Sequence, residues 1–275
     1  MRSGPFLLGV IISPSEELEM EEILVERTDN GVVNVTLNRP KLKNAIGGPM
    51  WSRLREICHE VSTTDTDRVM VLTGAGKGFC AGADLSALGG DSHPLNNMGD
   101  PHRAALALHE MTKPVIAKVN GDAVGAGFSL ALGCDLILAA QSARFAMIFA
   151  RRGLSLDCGG TWLLPRLVGL HRAKELALLA DLVSAEEAAA MGFVNRVVPD
   201  EKLDDFVADW ANRLADGPPI ALQMSKQMLN KSFAGSFSEA LHEEAMAQTV
   251  NFGSQDATEG VQAFLDKRQP NFTGR

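Results

Sequence analysis

Arg68-Val69-Met70-Val71-Leu72-Thr73 runs straight into Gly74-Ala75-Gly76-Lys77-Gly78. A short apolar, β-branched stretch closed by glycines reads as a buried strand entering a tight turn. About forty residues further on the same grammar returns. Strand Val115–Val119 leads through Gly121 to Gly125-Ala126-Gly127, which opens an apolar helix to Gly133, and strand Leu136–Ala139 follows. Two such units, similar in pattern but not in residues, predict a mixed α/β core.

Outward from this centre, Ile23–Arg27 and Val32–Leu37 read as strands joined through Asp29-Asn30-Gly31, a hairpin signal. A helix is expected over Met50–Val61 and another over His102–Met111, with residues 86–101 a Gly/Pro/Asn-rich loop. Beyond Pro199 the chain reads as helices: Leu203–Leu214, Ile220–Asn230, Ser236 to about Gln248, and Asp256–Lys267. The expected organisation is an N-terminal extension (residues 1–19), a core (20–200), and a helical C-terminal region (201–275) that packs subunits together. Phe6–Ile12 is too short for a signal peptide and runs into acidic sequence, which leaves Met20 as an alternative start of translation.

The net charge of −8 argues against a nucleic-acid partner, whose binding rests on Lys and Arg neutralising phosphate. No apolar run is long enough to predict a membrane span. Cys58, Cys80, Cys134 and Cys158 form no CxxC or disulfide framework, which fits a reducing, cytoplasmic setting. The six histidines show no metal spacing, so no metal is expected.

Small residues in both glycine turns let backbone N–H groups reach a ligand. The second turn is also a helix N-terminus, where unpaired N–H groups and the dipole favour negative charge. Two such donors on one oxygen make an oxyanion hole, worth roughly 3–4 kcal/mol per donor in a dry site. The plainer reading is that the glycines only permit tight turns. Other motifs fail: Gly76-x-Gly78-x-x-Ala81 lacks the helix and acidic residue of a dinucleotide site, and Lys77 is not followed by Ser or Thr as in a P-loop.

Gly78-Phe79-Cys80-Ala81-Gly82-Ala83-Asp84-Leu85 and Asn120-Gly121-Asp122-Ala123-Val124-Gly125-Ala126-Gly127 resemble the two signature segments of the crotonase, or enoyl-CoA hydratase/isomerase, superfamily. Asn38-Arg39-Pro40-Lys41-Leu42-Lys43-Asn44-Ala45 is similar to the segment that runs along that family's coenzyme A pocket. The likeness continues in order through Gly159-Gly160-Thr161 and Ser184-Ala185-Glu186-Glu187-Ala188. It implies a spiral of ββα units with a C-terminal helical region, assembled as a homotrimer or dimer of trimers. It also implies an acyl-CoA thioester as partner, with coenzyme A part of the substrate and no separate cofactor. The backbone N–H groups of Ala83 and Ala126 would grip the thioester oxygen. Lys41, Lys43, Ala45, Ala81, Asp84, Leu85, Ser129, Phe149 and Trp162 would contact the rest of the substrate.

Hydratases of this family carry two glutamates where this chain has Ser129 and Phe149. A serine does not serve unaided as a general base, and phenylalanine carries no proton. Asp157 instead occupies a position where isomerases and aryl-CoA dehalogenases of the family carry an aspartate, and burial beside Phe149 and Trp162 would raise its pKa. The dehalogenase pattern also calls for a pocket histidine, and none is evident in the sequence. Alternatively, Asp157 caps the helix expected at Gly160–Leu167. The leading expectation is an acyl-CoA isomerase with Asp157 as proton shuttle; a hydratase and a non-catalytic acyl-CoA binder are the alternatives.

Overall fold

Ile23 faces Leu37, and Arg27 faces Val33, across an antiparallel hairpin of β1 (Ile23–Arg27) and β2 (Val32–Leu37). The computed structural model of the chain describes residues 21–87 and 94–275. The expected N-terminal extension therefore lies outside the described residues. Helix α1 (Gly48–Thr63) follows the hairpin and buries Met50, Trp51, Leu54, Ile57, Cys58 and Val61.

The spiral then begins. β3 (Val69–Gly74), buried at every residue, pairs parallel with β2, and β4 (Gly78–Cys80) leaves for a second sheet. Two helices follow, α2 (Pro94–Asn97) and α3 (Gly99–His109). In the next turn β5 (Val115–Val119) joins the first sheet, β6 (Asp122–Val124) joins the second, and α4 (Ala126–Gly133) closes the unit. The third repeats the pattern with β7 (Leu136–Ala140), β8 (Arg144–Ala146) and α5 (Gly160–Val168).

After α6 (Leu170–Leu179) come β9 (Val183–Ser184), α7 (Ala185–Met191) and β10 (Arg196–Val198). The large sheet has the order β1-β2-β3-β5-β7-β10 and the small one β4-β6-β8-β9. Each ββα turn thus gives one strand to each sheet, so the β4 and β6 ends with their glycine turns come side by side.

Helix α8 (Leu203–Ala215) buries Leu203, Val207, Ala211 and Ala215 in the main core. The last three helices, α9 (Pro219–Lys231), α10 (Phe237–Phe252) and α11 (Gln255–Asp266), bury few side chains and leave Phe237, Phe252 and Phe264 exposed. Among the described residues no helix is long and apolar enough to cross a membrane.

The segment expected as a loop over residues 86–101 departs from expectation: it holds the short helix α2 (Pro94–Asn97), and residues 99–101 belong to α3, which ends at His109 instead of Met111. Pro101 sits in the first turn, where a missing N–H costs no helical bond, and Asp100 pairs with Arg103 at 2.8 Å.

Candidate active site

The segment around Lys43 is laid against the first glycine turn by one buried side chain. Asn44 accepts from the Arg39 N–H through Oδ1 (3.0 Å) and donates through Nδ2 to the carbonyls of Ala75 (2.9 Å) and Gly78 (2.8 Å). The Ala81 N–H donates to the Lys43 carbonyl at 2.9 Å. Arg39 adds an ion pair to Asp84 at 3.0 Å and a hydrogen bond to the Ala45 carbonyl at 3.0 Å. Asp84 is spent on this framework: the Ser86 hydroxyl and amide, together with Arg39, hold its carboxyl below the ordinary range. Leu85, Lys41 and Lys43 are exposed.

This bracing sets the direction of one amide. Ile46 donates to the Gly82 carbonyl and accepts from the Asp84 N–H, both at 2.9 Å. That parallel bridge uses the backbone on either side of Ala83 and turns the Ala83 N–H to the opposite edge. On that edge stands Ala126, the first residue of α4, whose N–H has no intrahelical acceptor. Gly82, at φ +98°, makes the approach possible: a Cβ there would lie 2.9 Å from the Val124 carbonyl oxygen and 3.4 Å from the Ala126 nitrogen. Thus the structure brings together the two turns that the sequence reading paired.

Ser129, one helical turn beyond Ala126, is fully buried, and its Oγ has no hydrogen-bond partner. Phe149 is buried with its ring near Gly125, so it covers the second turn with carbon.

Asp157 is half-buried ahead of α5, but it does not cap that helix. Gly159, at φ +83°, occupies the cap position without a side-chain bond, and only the Asp157 carbonyl accepts from the Gly160 N–H (2.9 Å). The capping reading is corrected. The Asp157 Oδ1 atom is buried without a hydrogen-bond partner. Burial pushes the carboxyl above the ordinary aspartate range, opposed by a hydrogen bond from Cys158 and by the charge of His102.

Beside it lies a cavity of about 380 Å³ with largely apolar walls. From α3 it takes His102, Leu106 and His109; from the segment after Asp157 it takes Cys158, Trp162 and Leu163. Trp162 is held edge-on by His109 (5.4 Å between centroids, 71°) and backed by the Arg166 guanidinium 3.8 Å from its ring centre. The expectation of no pocket histidine is therefore corrected: His102 and His109 both line the cavity, and His109 packs against Trp162. The signal was in the sequence, since His102, Ala105, Leu106 and His109 fall at i, i+3, i+4 and i+7, one face of a helix.

The comparisons with known proteins agree with this fold. The enoyl-CoA hydratase/isomerase family pattern matches residues 27–275. The 1,2-epoxyphenylacetyl-CoA isomerase of Escherichia coli (strain K12) is 43% identical over 262 residues, covering 93% of this chain and all of that protein. A protein of Rhodobacter capsulatus named a probable enoyl-CoA hydratase is 41% identical over 250 residues, covering 89% of this chain and 95% of its own. The crystal structure of an enoyl-CoA hydratase from Bacillus anthracis superposes with a TM-score of 0.89 at 32% identity, covering 93% of this chain and all of that one. The chain belongs to the enoyl-CoA hydratase/isomerase family and has the crotonase fold.

Proposed function

We propose that this chain is an acyl-CoA isomerase in which Asp157 carries the proton. The observation that carries the reading is the carboxylate itself. Asp157 has a free buried oxygen beside an apolar cavity, whereas the two positions where hydratases place glutamates hold Ser129 and Phe149. A hydratase must activate water and protonate carbon; one carboxylate suits a 1,3 proton shift, for which the same group returns what it removes.

In this reading the thioester oxygen lies between the N–H groups of Ala83 and Ala126. Asp157 takes a proton from the α carbon of a 3-enoyl thioester; the C–H electron pair forms the double bond between the α and carbonyl carbons as the carbonyl π pair moves onto oxygen, giving a dienolate. The two amides stabilise the oxyanion, at roughly 3–4 kcal/mol per donor. The now neutral Asp157 then delivers its proton to the γ carbon, which leaves the double bond conjugated with the carbonyl. The raised pKa of Asp157 suits both halves of the cycle. The isomerase name of the Escherichia coli relative supports the same choice, and the cavity walls favour an apolar acyl group. The exposed lysines Lys41 and Lys43 would meet coenzyme A phosphates.

Incubation with 3-enoyl-CoA and 2-enoyl-CoA tests the reading. Isomerase action produces the conjugated 2-enoyl absorbance from the 3-enoyl substrate. Loss of that absorbance from the 2-enoyl substrate, with none gained from the 3-enoyl, means a hydratase. Binding without either change means an acyl-CoA binder.

A further inference from the structure

Two cavities of similar size meet at one indole ring. The first, of about 380 Å³, carries Cys158 and Gly159, the two residues after Asp157, in its wall. The second, of about 430 Å³, lies among α4, α5 and α9. His109, Trp162 and Leu163 line both spaces, and no other residue does so among those described. These three side chains form a shared wall, and Trp162 is the largest of them.

Trp162 is braced from several sides. The His109 ring meets it edge-on, with 5.4 Å between centroids. The Arg166 guanidinium lies 3.8 Å from its ring centre, and Arg166 Nη1 donates to the Trp162 carbonyl at 2.8 Å. The same guanidinium lies 5.7 Å from the ring centre of Phe233, which lines the second cavity just past the end of α9. An edge contact on one side and a stacked cation on the other hold the indole across the boundary between the two spaces.

The second cavity suits an alkyl chain. Lys226 is bound to Asp135 at 2.8 Å and to the Lys113 carbonyl at 3.0 Å, and Asn230 donates to the His109 carbonyl at 3.3 Å. With those polar groups partnered, Leu132, Leu167, Leu222 and Leu229 offer carbon to the space. Such a pocket gains from each methylene that it takes out of water.

We propose that Trp162 sets the length of acyl chain that this site accepts. The indole ends the cavity beside Asp157 and shuts off a second, apolar cavity that would hold the distal methylenes of a longer chain. The acyl tail is the occupant that fits, because the second space is reached from the first through their shared wall. The proposal rests on the acyl-CoA reading of the site and not on the isomerisation step.

Calorimetry with butyryl-, hexanoyl-, octanoyl- and decanoyl-CoA tests it, on wild type, Trp162→Ala, Trp162→Met and Leu167→Trp. Each methylene that enters an apolar cavity tightens binding about fourfold. In wild type the gain should stop before decanoyl-CoA. In W162A, and to a smaller extent in W162M, it should continue, raising the ratio of decanoyl to butyryl affinity at least about tenfold. Leu167 lines the second cavity and not the first. L167W should therefore leave the wild-type series unchanged, and it should cancel the gain when combined with W162A.

A wild-type series that tightens steadily to decanoyl-CoA overturns the proposal. So does a W162A series that levels where wild type does, which would leave the second cavity to another occupant such as a second copy of the chain. A wild-type series shortened by L167W overturns it as well, and that comparison stands even if neither Trp162 variant folds. If wild type binds these thioesters but turns over no 3-enoyl-CoA, the isomerase reading fails while the length series still decides the role of Trp162.

Discussion

The Ser129 hydroxyl lies 2.8 Å from the point a Cβ on Gly160 would occupy. This contact ties α4, the helix that carries the Ala126 amide, to the start of α5 just beyond Asp157. Gly160→Ala should therefore cost about 1–3 kcal/mol through overpacking. Ser129→Ala should be neutral or stabilising by up to about 1 kcal/mol, since it removes a buried hydroxyl without a partner. The double variant should recover much of the G160A loss, because the methyl then fits where the oxygen was. Urea unfolding of the four proteins measures the coupling; strictly additive changes would mean that the two residues do not share this space.

Asn44 predicts a larger effect with a functional consequence. Asn44→Ala leaves the Ala75 and Gly78 carbonyls and the Arg39 amide without their partner. The expected cost is about 2–4 kcal/mol. Because the same side chain fixes the turn before Ala83, acyl-CoA affinity should fall as well. Thermal unfolding with and without acetoacetyl-CoA checks both: the variant should melt lower and show a smaller ligand-induced shift. An unchanged shift would mean that the first turn holds its shape without this brace.

The sequence was most legible where short apolar runs are fenced by turn residues. Ile23–Arg27, Val32–Leu37 and Val115–Val119 form strands with those bounds because Asp29-Asn30-Gly31 and Lys113-Pro114 punctuate them. Pro101 misled, since a proline ends a helix from inside but is tolerated in its first turn. The alternative of an Asp157 cap fails because a left-handed Gly159 takes the cap position, a backbone choice that spacing does not reveal. The cavity was least legible. Its walls come from α3 and from the segment after Asp157, and only the spiral brings the two into contact.

Assembly gives a third prediction. Phe237, Phe252 and Phe264 are 81%, 78% and 82% exposed on α10 and α11. Large apolar side chains left in water at such density mark an interaction surface, and a closed ring of identical subunits covers such a face on every copy. Light scattering at micromolar concentration should report a trimer or hexamer. Phe264→Glu with Phe237→Glu should shift the population toward smaller species. A wild-type monomer at that concentration would contradict the assignment of this face.

Asp157 supports the sharpest test, because chemistry and stability should move in opposite directions. Asp157→Asn removes the base but keeps the size of the side chain. Turnover of 3-enoyl-CoA should fall by about 10²–10⁴-fold, the usual contribution of general acid–base catalysis. Acyl-CoA affinity should change little, since the Ala83 and Ala126 donors are backbone groups. Stability follows from the raised carboxyl pKa. A carboxyl whose folded pKa lies above its unfolded value favours the fold while protonated, and that contribution is lost as pH rises through the folded pKa. Wild type should therefore lose stability relative to D157N as pH climbs out of the carboxylate range. At pH 7 the variant should melt at or above wild type, and the difference should close below about pH 4. Melting curves at both pH values, set beside turnover, separate the roles. A D157N protein that melts lower at pH 7 and retains full turnover would make Asp157 a structural residue and end its assignment as the base.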